Sequence, residues 1–226
     1  MSDTLRKRII WVLAFSIAMG FLEAAVVIYL RDLYYPNGFI FPLKLMSDRN
    51  AIVELFREAA TIIMLLGLGM LAGRSVNERF AFFLSSFAIW DIFYYVFLKL
   101  FLDWPSSLLT WDILFLIPVP WIGPVIDPII ISLTMILLSV CLVYRDSQSN
   151  AHRLSPKEWL LLIAGSSIVV GSWTWGYLRY SSSVADPMTA LNTFVPQTYY
   201  CMMFWLGEAL LLSAIVFFWR RTTSTN

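Results

Sequence analysis

Six acidic residues and two basic residues lie inside strongly apolar segments of this chain. Even on the mildest scale, a charged side chain at the centre of a bilayer costs about 2.5–3.5 kcal/mol. Charges in such segments are therefore candidates for function if the segments span a membrane. The acids are Glu23, Glu54, Glu58, Asp91, Asp127 and Glu208, and the bases are Arg57 and Lys99.

The spacing of these residues places several of them on common helix faces. Side chains three or four positions apart are neighbours on a helix. Glu58 therefore lies one turn from Glu54, and Arg57 can pair with Glu54. The third apolar segment presents an acid, a phenol and an amine at intervals of four residues, namely Asp91, Tyr95 and Lys99.

Six acids against two bases leave an excess of carboxyl groups, and this excess defines the possible chemistry. Buried carboxyls without a base are protonated, bind a cation or contact water. Oxygen ligands suit Mg²⁺, Ca²⁺ or Mn²⁺, so a divalent cation is possible, although we assign no metal ligand. We predict Glu58 and Asp91 as the catalytic acid or base. The predicted ligand-binding residues are Glu23, Glu54, Arg57, Tyr95, Lys99, Asp127 and Glu208.

Each group also has a purely structural interpretation. Glu54, Arg57 and Lys99 lie near one end of their segments and could extend to the membrane interface. Asp127, between two prolines, could cap the start of a helix. The deeper acids could form polar ties between helices.

The composition indicates a polytopic helical membrane protein. Of the 226 residues, 59% are hydrophobic and 14% are charged, against about 45–50% and about 25% in soluble domains. The apolar residues occur in blocks of roughly 20, which is the length that spans a bilayer. We predict an all-α bundle forming one integral domain over residues 1–226, with an uncleaved first span. The six predicted spans are 9–30, 51–73, 80–102, 119–144, 158–178 and 199–219.

The loops predict the orientation of the chain. Basic residues concentrate on cytoplasmic loops. Ten lie in the two termini and the second and fourth loops, and four lie in the other loops, which are much longer. We therefore expect both termini to be cytoplasmic, in a cell membrane such as a bacterial inner membrane. All six acids then lie in the extracytoplasmic half, with Asp91 deepest at ~16 Å above the inner boundary.

The segment 103–128 has a distinctive composition. It contains five prolines and three tryptophans. Its apolar stretch Leu108–Ile117 is too short to cross a bilayer, which indicates an interfacial or re-entrant piece between helices 3 and 4.

Several classes of protein are excluded or disfavoured. A net charge of +1 offers no basic surface for nucleic acid. The single histidine, His152, cannot build a site that needs several imidazoles. Cys141 and Cys201 are more typical of small buried hydrophobes than of a disulfide. We find no nucleophile-elbow, zinc-protease, phosphate-loop or CxxC motif.

Three classes of function remain open. The first is a membrane-embedded enzyme or binding protein whose carboxylate-rich site opens to the extracytoplasmic side and takes a lipid-like or cationic ligand. The second is an accessory subunit whose charges contact partner membrane subunits. The third is a proton- or cation-coupled transporter, which the lack of acids in the inner half disfavours. Five spans contribute acids, so we expect a common cavity with span five at its periphery.

Overall fold

The computed structural model describes residues 3–44, 46–147, 153–184 and 186–223. His152 therefore lies outside the described residues. Those ranges contain seven helices and two strands. The elements are α1 (Asp3–Tyr34), α2 (Asp48–Ala72), α3 (Val76–Leu102), β1 (Trp111–Phe115), β2 (Trp121–Pro124), α4 (Ile126–Asp146), α5 (Pro156–Ser181), α6 (Pro187–Thr193) and α7 (Cys201–Thr223).

Six of the helices, all except α6, are long and apolar enough to cross a membrane. Their number agrees with the predicted number of spans, and the chain is compatible with a multi-pass membrane protein. The helices are longer than the predicted spans at several ends because polar caps extend them. Ser75 and Ser155, for example, each accept a hydrogen bond from the backbone N–H three residues later.

The fourth span begins later than the predicted residue 119, and the segment before it contains two strands that the all-α prediction lacks. Residues 121–124 form β2, which pairs antiparallel with β1, and α4 begins only at Ile126. Pro118 and Pro120 lie between the two strands and lack the backbone N–H groups that a continuous helix needs. The tryptophans and isoleucines of both strands favour extended backbone.

α3 lies at the centre of one group of helices, against α1, α2 and α4. α5 packs along α7, which also contacts α4. The α5–α7 contact depends on two glycines, because a Cβ at Gly207 would lie 2.8 Å from the Gly165 carbonyl oxygen and 2.7 Å from Val169 Cγ2. The small residue next to Glu208 thus permits the close approach of α5 and α7.

The bundle has two chemically different ends. The end where α1, α3 and α5 finish carries the β1–β2 hairpin, and we call it the hairpin end. The opposite end holds ion pairs between Arg8 and Glu78 and between Arg221 and Glu158.

Both cysteines are free, and Cys201 is exposed on the bundle surface rather than buried as expected.

Candidate functional site

A cavity of about 110 Å³ lies at the hairpin end, enclosed by α1, α2, α3 and the hairpin. We call it the polar chamber because carboxyl and guanidinium groups line it. It contains five acids and two bases, so its acids outnumber its bases by three. The acids are Glu23, Glu54, Glu58, Asp91 and Asp112, and the bases are Arg31 and Arg57.

Arg57 joins α2 to α1 inside the polar chamber. Its Nε donates to Glu54 Oε2 over 2.9 Å, and its Nη2 donates to Glu54 Oε1 over 2.5 Å. Its Nη1 donates to Glu23 of α1. The pairing with Glu54 agrees with the helical spacing, and the burial of the Glu54 side chain favours this pairing over an extension to the interface.

A second ion pair attaches the hairpin to the helices. Arg31 Nη2 of α1 lies 3.4 Å from Asp112 Oδ1 of β1, and both side chains are buried. The Tyr95 hydroxyl of α3 donates to Asp112 Oδ2 over 3.1 Å. The Arg31 guanidinium also lies 3.7 Å from the centre of the Trp104 ring and 4.8 Å from that of Phe39, which stabilises the cation.

Burial raises the pKa of the Asp112 carboxyl to about 6, although the Arg31 charge and the Tyr95 hydrogen bond oppose the rise. Sequence reasoning missed both Arg31 and Asp112. Arg31 is one of the four basic residues that the sequence places in the longer loops, where it bears only on orientation. Asp112 is the one acid within the apolar run that extends from Leu108 to Ile117. A single acid in such a run is the feature of the sequence that marks it as a candidate site residue.

Two acids of the polar chamber, Glu58 and Asp91, form no ion pair with any described residue. Glu58 Oε2 accepts from the backbone N–H of Leu116 over 2.9 Å. Asp91 Oδ2 accepts from the Ser132 hydroxyl of α4 over 2.9 Å. Each therefore retains one carboxyl oxygen without a hydrogen-bond donor among the contacts that the structure shows. Such oxygens can accept from a ligand or exchange a proton with it.

A second cavity of about 240 Å³ adjoins the first. We call it the apolar chamber because its walls are mainly hydrophobic side chains of α3, α4, α5 and the hairpin. The two chambers share four lining residues, namely Trp90, Asp91, Leu114 and Phe115. A charged compartment thus adjoins a hydrophobic one, with Asp91 at their boundary.

Two of the six predicted acids do not line either chamber. Asp127 is fully buried and accepts from Trp173 Nε1 over 2.9 Å and from the Tyr199 hydroxyl over 2.5 Å. The alternative interpretation of Asp127 as a helix cap does not hold, because α4 has no side-chain cap hydrogen bond. Glu208 of α7 accepts from the Thr134 hydroxyl of α4. Burial, together with the Asp127 hydrogen bond and charge, raises the pKa of Tyr199.

Lys99 lies apart from the chambers as well. Its amine pairs with Asp103 over 2.6 Å, and both side chains are more than half exposed.

The expectation of one cavity for all the acids, with span five at its periphery, needs correction. Four of the six acids share the polar chamber, and α5 supplies part of the apolar chamber wall through Ser166, Val169, Val170 and Trp173.

The arrangement does not resemble a preformed metal site. Within the part of the chain that the structure describes, no three His, Cys, Asp or Glu side chains are placed to hold a metal ion. Arg57 lies between two of the acids instead, so a guanidinium occupies the position that a cation would take.

Comparison with protein-family models, curated proteins and solved structures found no match for this chain. It is a bundle of six apolar helices, compatible with an integral membrane protein, with two adjoining chambers near one end.

Proposed function

We propose that this protein is an integral membrane protein that binds or processes a lipid-like amphiphile in the two chambers. The observation that supports this proposal is that Trp90, Asp91, Leu114 and Phe115 line both the polar and the apolar chamber. An amphiphile has the same division into a polar head and an apolar chain. The two cavities together reach the lower end of the ~300–1,000 Å³ range of small-molecule sites.

The hairpin end faces the extracytoplasmic side in this proposal. The excess of basic residues in the two termini and in the second and fourth loops supports this orientation. The hairpin then lies at the interface, where its tryptophans are well accommodated. The polar chamber is placed within reach of lipid head groups in that leaflet.

The charges of the polar chamber favour a head group that is cationic or rich in hydrogen-bond donors. Arg31 is engaged by Asp112, and Arg57 is engaged by Glu23 and Glu54. Neither base is therefore free to hold an anionic group of a ligand. Glu58 and Asp91 keep carboxyl oxygens that can accept from an amine or hydroxyl.

Glu58 and Asp91 are the residues that we propose as acid and base if the protein is an enzyme. Both line the polar chamber, and neither is neutralised by an ion pair with a described residue. Asp91 also lines the apolar chamber, so it is adjacent to the position where the head and chain of a ligand would join. A general acid or base requires such contact with the reacting group.

The alternative of an accessory subunit has weaker support. Charges that await a partner helix face outward, whereas Glu23 and Glu54 both pair with Arg57 inside this chain. A coupled transporter needs a pathway through both halves. At the opposite end, Arg8–Glu78 and Arg221–Glu158 form ion pairs between helices. The cavity that Arg8 lines shares no lining residue with the polar chamber.

The experiment is a measurement of lipid retention. Wild-type protein and variants are purified in mild detergent, and retained amphiphiles are identified by native mass spectrometry and lipid extraction. We expect Glu58→Gln and Asp91→Asn each to lower retention, since each removes one carboxylate that faces the cavity. Asp103→Asn is the matched control, because Asp103 is an exposed acid at the end of α3.

Asp91→Asn should fold normally, because the Ser132 hydroxyl can donate to the amide oxygen as it does to the carboxylate. Asp91→Leu removes this acceptor and should lower stability as well as retention. If wild-type protein retains no defined amphiphile, the proposal is wrong. Migration in a larger complex on a native gel would then favour the accessory-subunit alternative.

A further inference from the structure

The Tyr94 hydroxyl of α3 is an open polar atom in the polar chamber. Tyr94 lines this chamber, and its hydroxyl forms no hydrogen bond with any described residue. The hydroxyl is also not one of the unpaired polar atoms that are fully enclosed by protein. It therefore keeps surface that a small molecule in the chamber can contact. The same holds for the second carboxyl oxygens of Glu58 and Asp91, whose first oxygens are occupied.

The Tyr94 hydroxyl lies among the charged groups of the chamber. Four of them act on it electrostatically, namely Asp112, Arg31, Glu23 and Arg57. The Tyr94 ring packs edge to face against the ring of Tyr95, with 4.8 Å between the ring centres. Tyr95 donates its hydroxyl hydrogen to Asp112 over 3.1 Å. The fold therefore pairs one of two adjacent phenols and leaves the other open.

Asp91 and Tyr94 are three positions apart in α3. Side chains at this spacing are neighbours on one helix face, with about 5–6 Å between their Cβ atoms. The structure shows no hydrogen bond between these two side chains, and both line the polar chamber. A head group in the chamber therefore meets a carboxyl oxygen and a phenol hydroxyl side by side.

These two groups together limit the chemistry of the head group. An ammonium group can only donate hydrogen bonds, so it leaves the phenol hydrogen without an acceptor. A phosphate oxygen can only accept, and both bases that could hold it are engaged by acids. A hydroxyl group donates to a carboxyl oxygen and accepts from a phenol. Hydroxyls are therefore the groups that satisfy both side chains.

We infer that the ligand carries a polyol head group, as an acylglycerol does, and that Tyr94 is a specificity-determining residue that donates to one of its hydroxyls. Glu58 and Asp91 accept from the hydroxyl hydrogens. This inference rests on the proposed function and adds the class of head group. Of the two kinds of head group that the charges favour, it selects the one that is rich in hydrogen-bond donors.

The experiment compares two neutral amphiphiles that differ only in the hydroxyls of the head. Full-length protein in dodecyl dimethylamine oxide, a detergent without hydroxyls, is mixed with equimolar monooleoylglycerol and n-propyl oleate. Native mass spectrometry gives the bound ratio, which is divided by the ratio in the micelles. We expect the wild-type protein to prefer monooleoylglycerol by about tenfold or more, which corresponds to about 1.4 kcal/mol, because n-propyl oleate leaves the open polar atoms unpaired.

Tyr94→Phe keeps the ring and removes only the hydroxyl. The preference for monooleoylglycerol should fall by about three- to tenfold, which is the effect of one hydrogen bond. The melting temperature of the lipid-free variant should not fall, because this hydroxyl has no partner among the described residues. Tyr144→Phe is the matched control, since Tyr144 is half exposed near the opposite end of α4 and lines neither chamber.

Equal binding of the two amphiphiles to wild-type protein would overturn the inference and leave the proposed function intact. Ordered water would then be the partner of the open atoms. A preference that Tyr94→Phe leaves unchanged would overturn the role of Tyr94, and so would a Tyr94→Phe variant that unfolds, since its hydroxyl would then be structural. If neither probe binds while the protein retains another amphiphile from the cell, the polyol class is wrong. If no amphiphile binds at all, the proposed function itself fails.

Discussion

The backbone N–H of Leu116 donates to Glu58 Oε2 over 2.9 Å, and this bond attaches the hairpin to α2. Asp112 of the same hairpin contacts Arg31 of α1 and Tyr95 of α3. The hairpin is therefore held by three helices through side chains that line the polar chamber. A movement of the hairpin would remove the Leu116 N–H from the Glu58 carboxyl. The position of the hairpin therefore affects the electrostatic surroundings of Glu58.

The first prediction concerns topology. A reporter that is active only outside the cytoplasm should be silent when it is fused after Thr225, within 145–157 or within 74–79. It should be active within 34–50 and within 180–195. Activity at both chain ends would reverse the proposed orientation, and activity at only one end would mean that the number of spans is odd.

The second prediction concerns the hairpin segment. Protease added from the extracytoplasmic side should cut near Ser181–Ser183 and spare residues 103–125, because hydrogen bonds and ring contacts hold the hairpin against the helices. Fragments are identified by mass spectrometry after brief digestion. Rapid cleavage around Trp111 would contradict this prediction.

The third prediction concerns the Arg57 ion pairs. Arg57→Met leaves Glu23 and Glu54 together in the chamber without their shared base. Removing one member of a buried ion pair typically destabilises a protein by about 3–5 kcal/mol, so thermal unfolding in detergent should shift strongly downward. Lys99→Met is the control, because its partner Asp103 is exposed and an ion pair in water contributes little to stability. Equal effects of the two changes would contradict the proposed role of Arg57.

The fourth prediction concerns the pH dependence of stability. The pKa of Asp112 is about 6 in the folded protein and about 3.9 in an unfolded chain. Between these values the folded state binds more protons, so the contribution of Asp112 to the free energy of unfolding decreases as pH rises. The contribution is fully present below about pH 4 and is lost as the pH rises through about 6, a change on the order of 3 kcal/mol.

Asp112→Asn removes this titration while it keeps an acceptor for Tyr95. The difference in melting temperature between wild type and the variant should therefore change between pH 4 and pH 6 and stay constant above pH 7. Taking the difference cancels the titration of the other acids. A difference that is constant over the whole range would show that Asp112 has an ordinary pKa.

The fifth prediction concerns the α5–α7 contact. Gly207→Ala should destabilise the protein by about 1–3 kcal/mol, as overpacking of a tight contact does, because the new Cβ would lie 2.7 Å from Val169 Cγ2. Gly171→Ala on α5 is the matched control, since its Cβ would meet Met203 Cε at an ordinary 3.6 Å. Thermal unfolding of the two variants in the same detergent gives the comparison, and a neutral Gly207→Ala would show that the helices can separate without loss.

The sequence alone predicts the number of membrane helices, because hydropathy over about 20 residues depends only on local composition. It also predicts the pairing of Arg57 with Glu54, since positions three apart on a helix are neighbours whatever the tertiary structure. The functional roles of Glu58, Asp91 and the other candidate residues remain predictions.

The β1–β2 hairpin does not follow from the local sequence. Short apolar runs such as Trp111–Phe115 suit a strand or part of a helix equally well. Pairing with β2, and the contacts of Asp112 with α1 and α3, decide between them in the folded protein.

Only the tertiary structure decides which charges meet. Arg31 and Asp112 are 81 positions apart, and Glu23 and Arg57 are 34 apart, so no helical spacing relates them. Asp127 and Glu208 have the same chemistry as the acids of the polar chamber, yet Trp173 of α5 and Thr134 of α4 give them neutral partners elsewhere. The sequence determines that acids lie within apolar helices, whereas the way in which the helices rotate and pack determines which of those acids share a cavity.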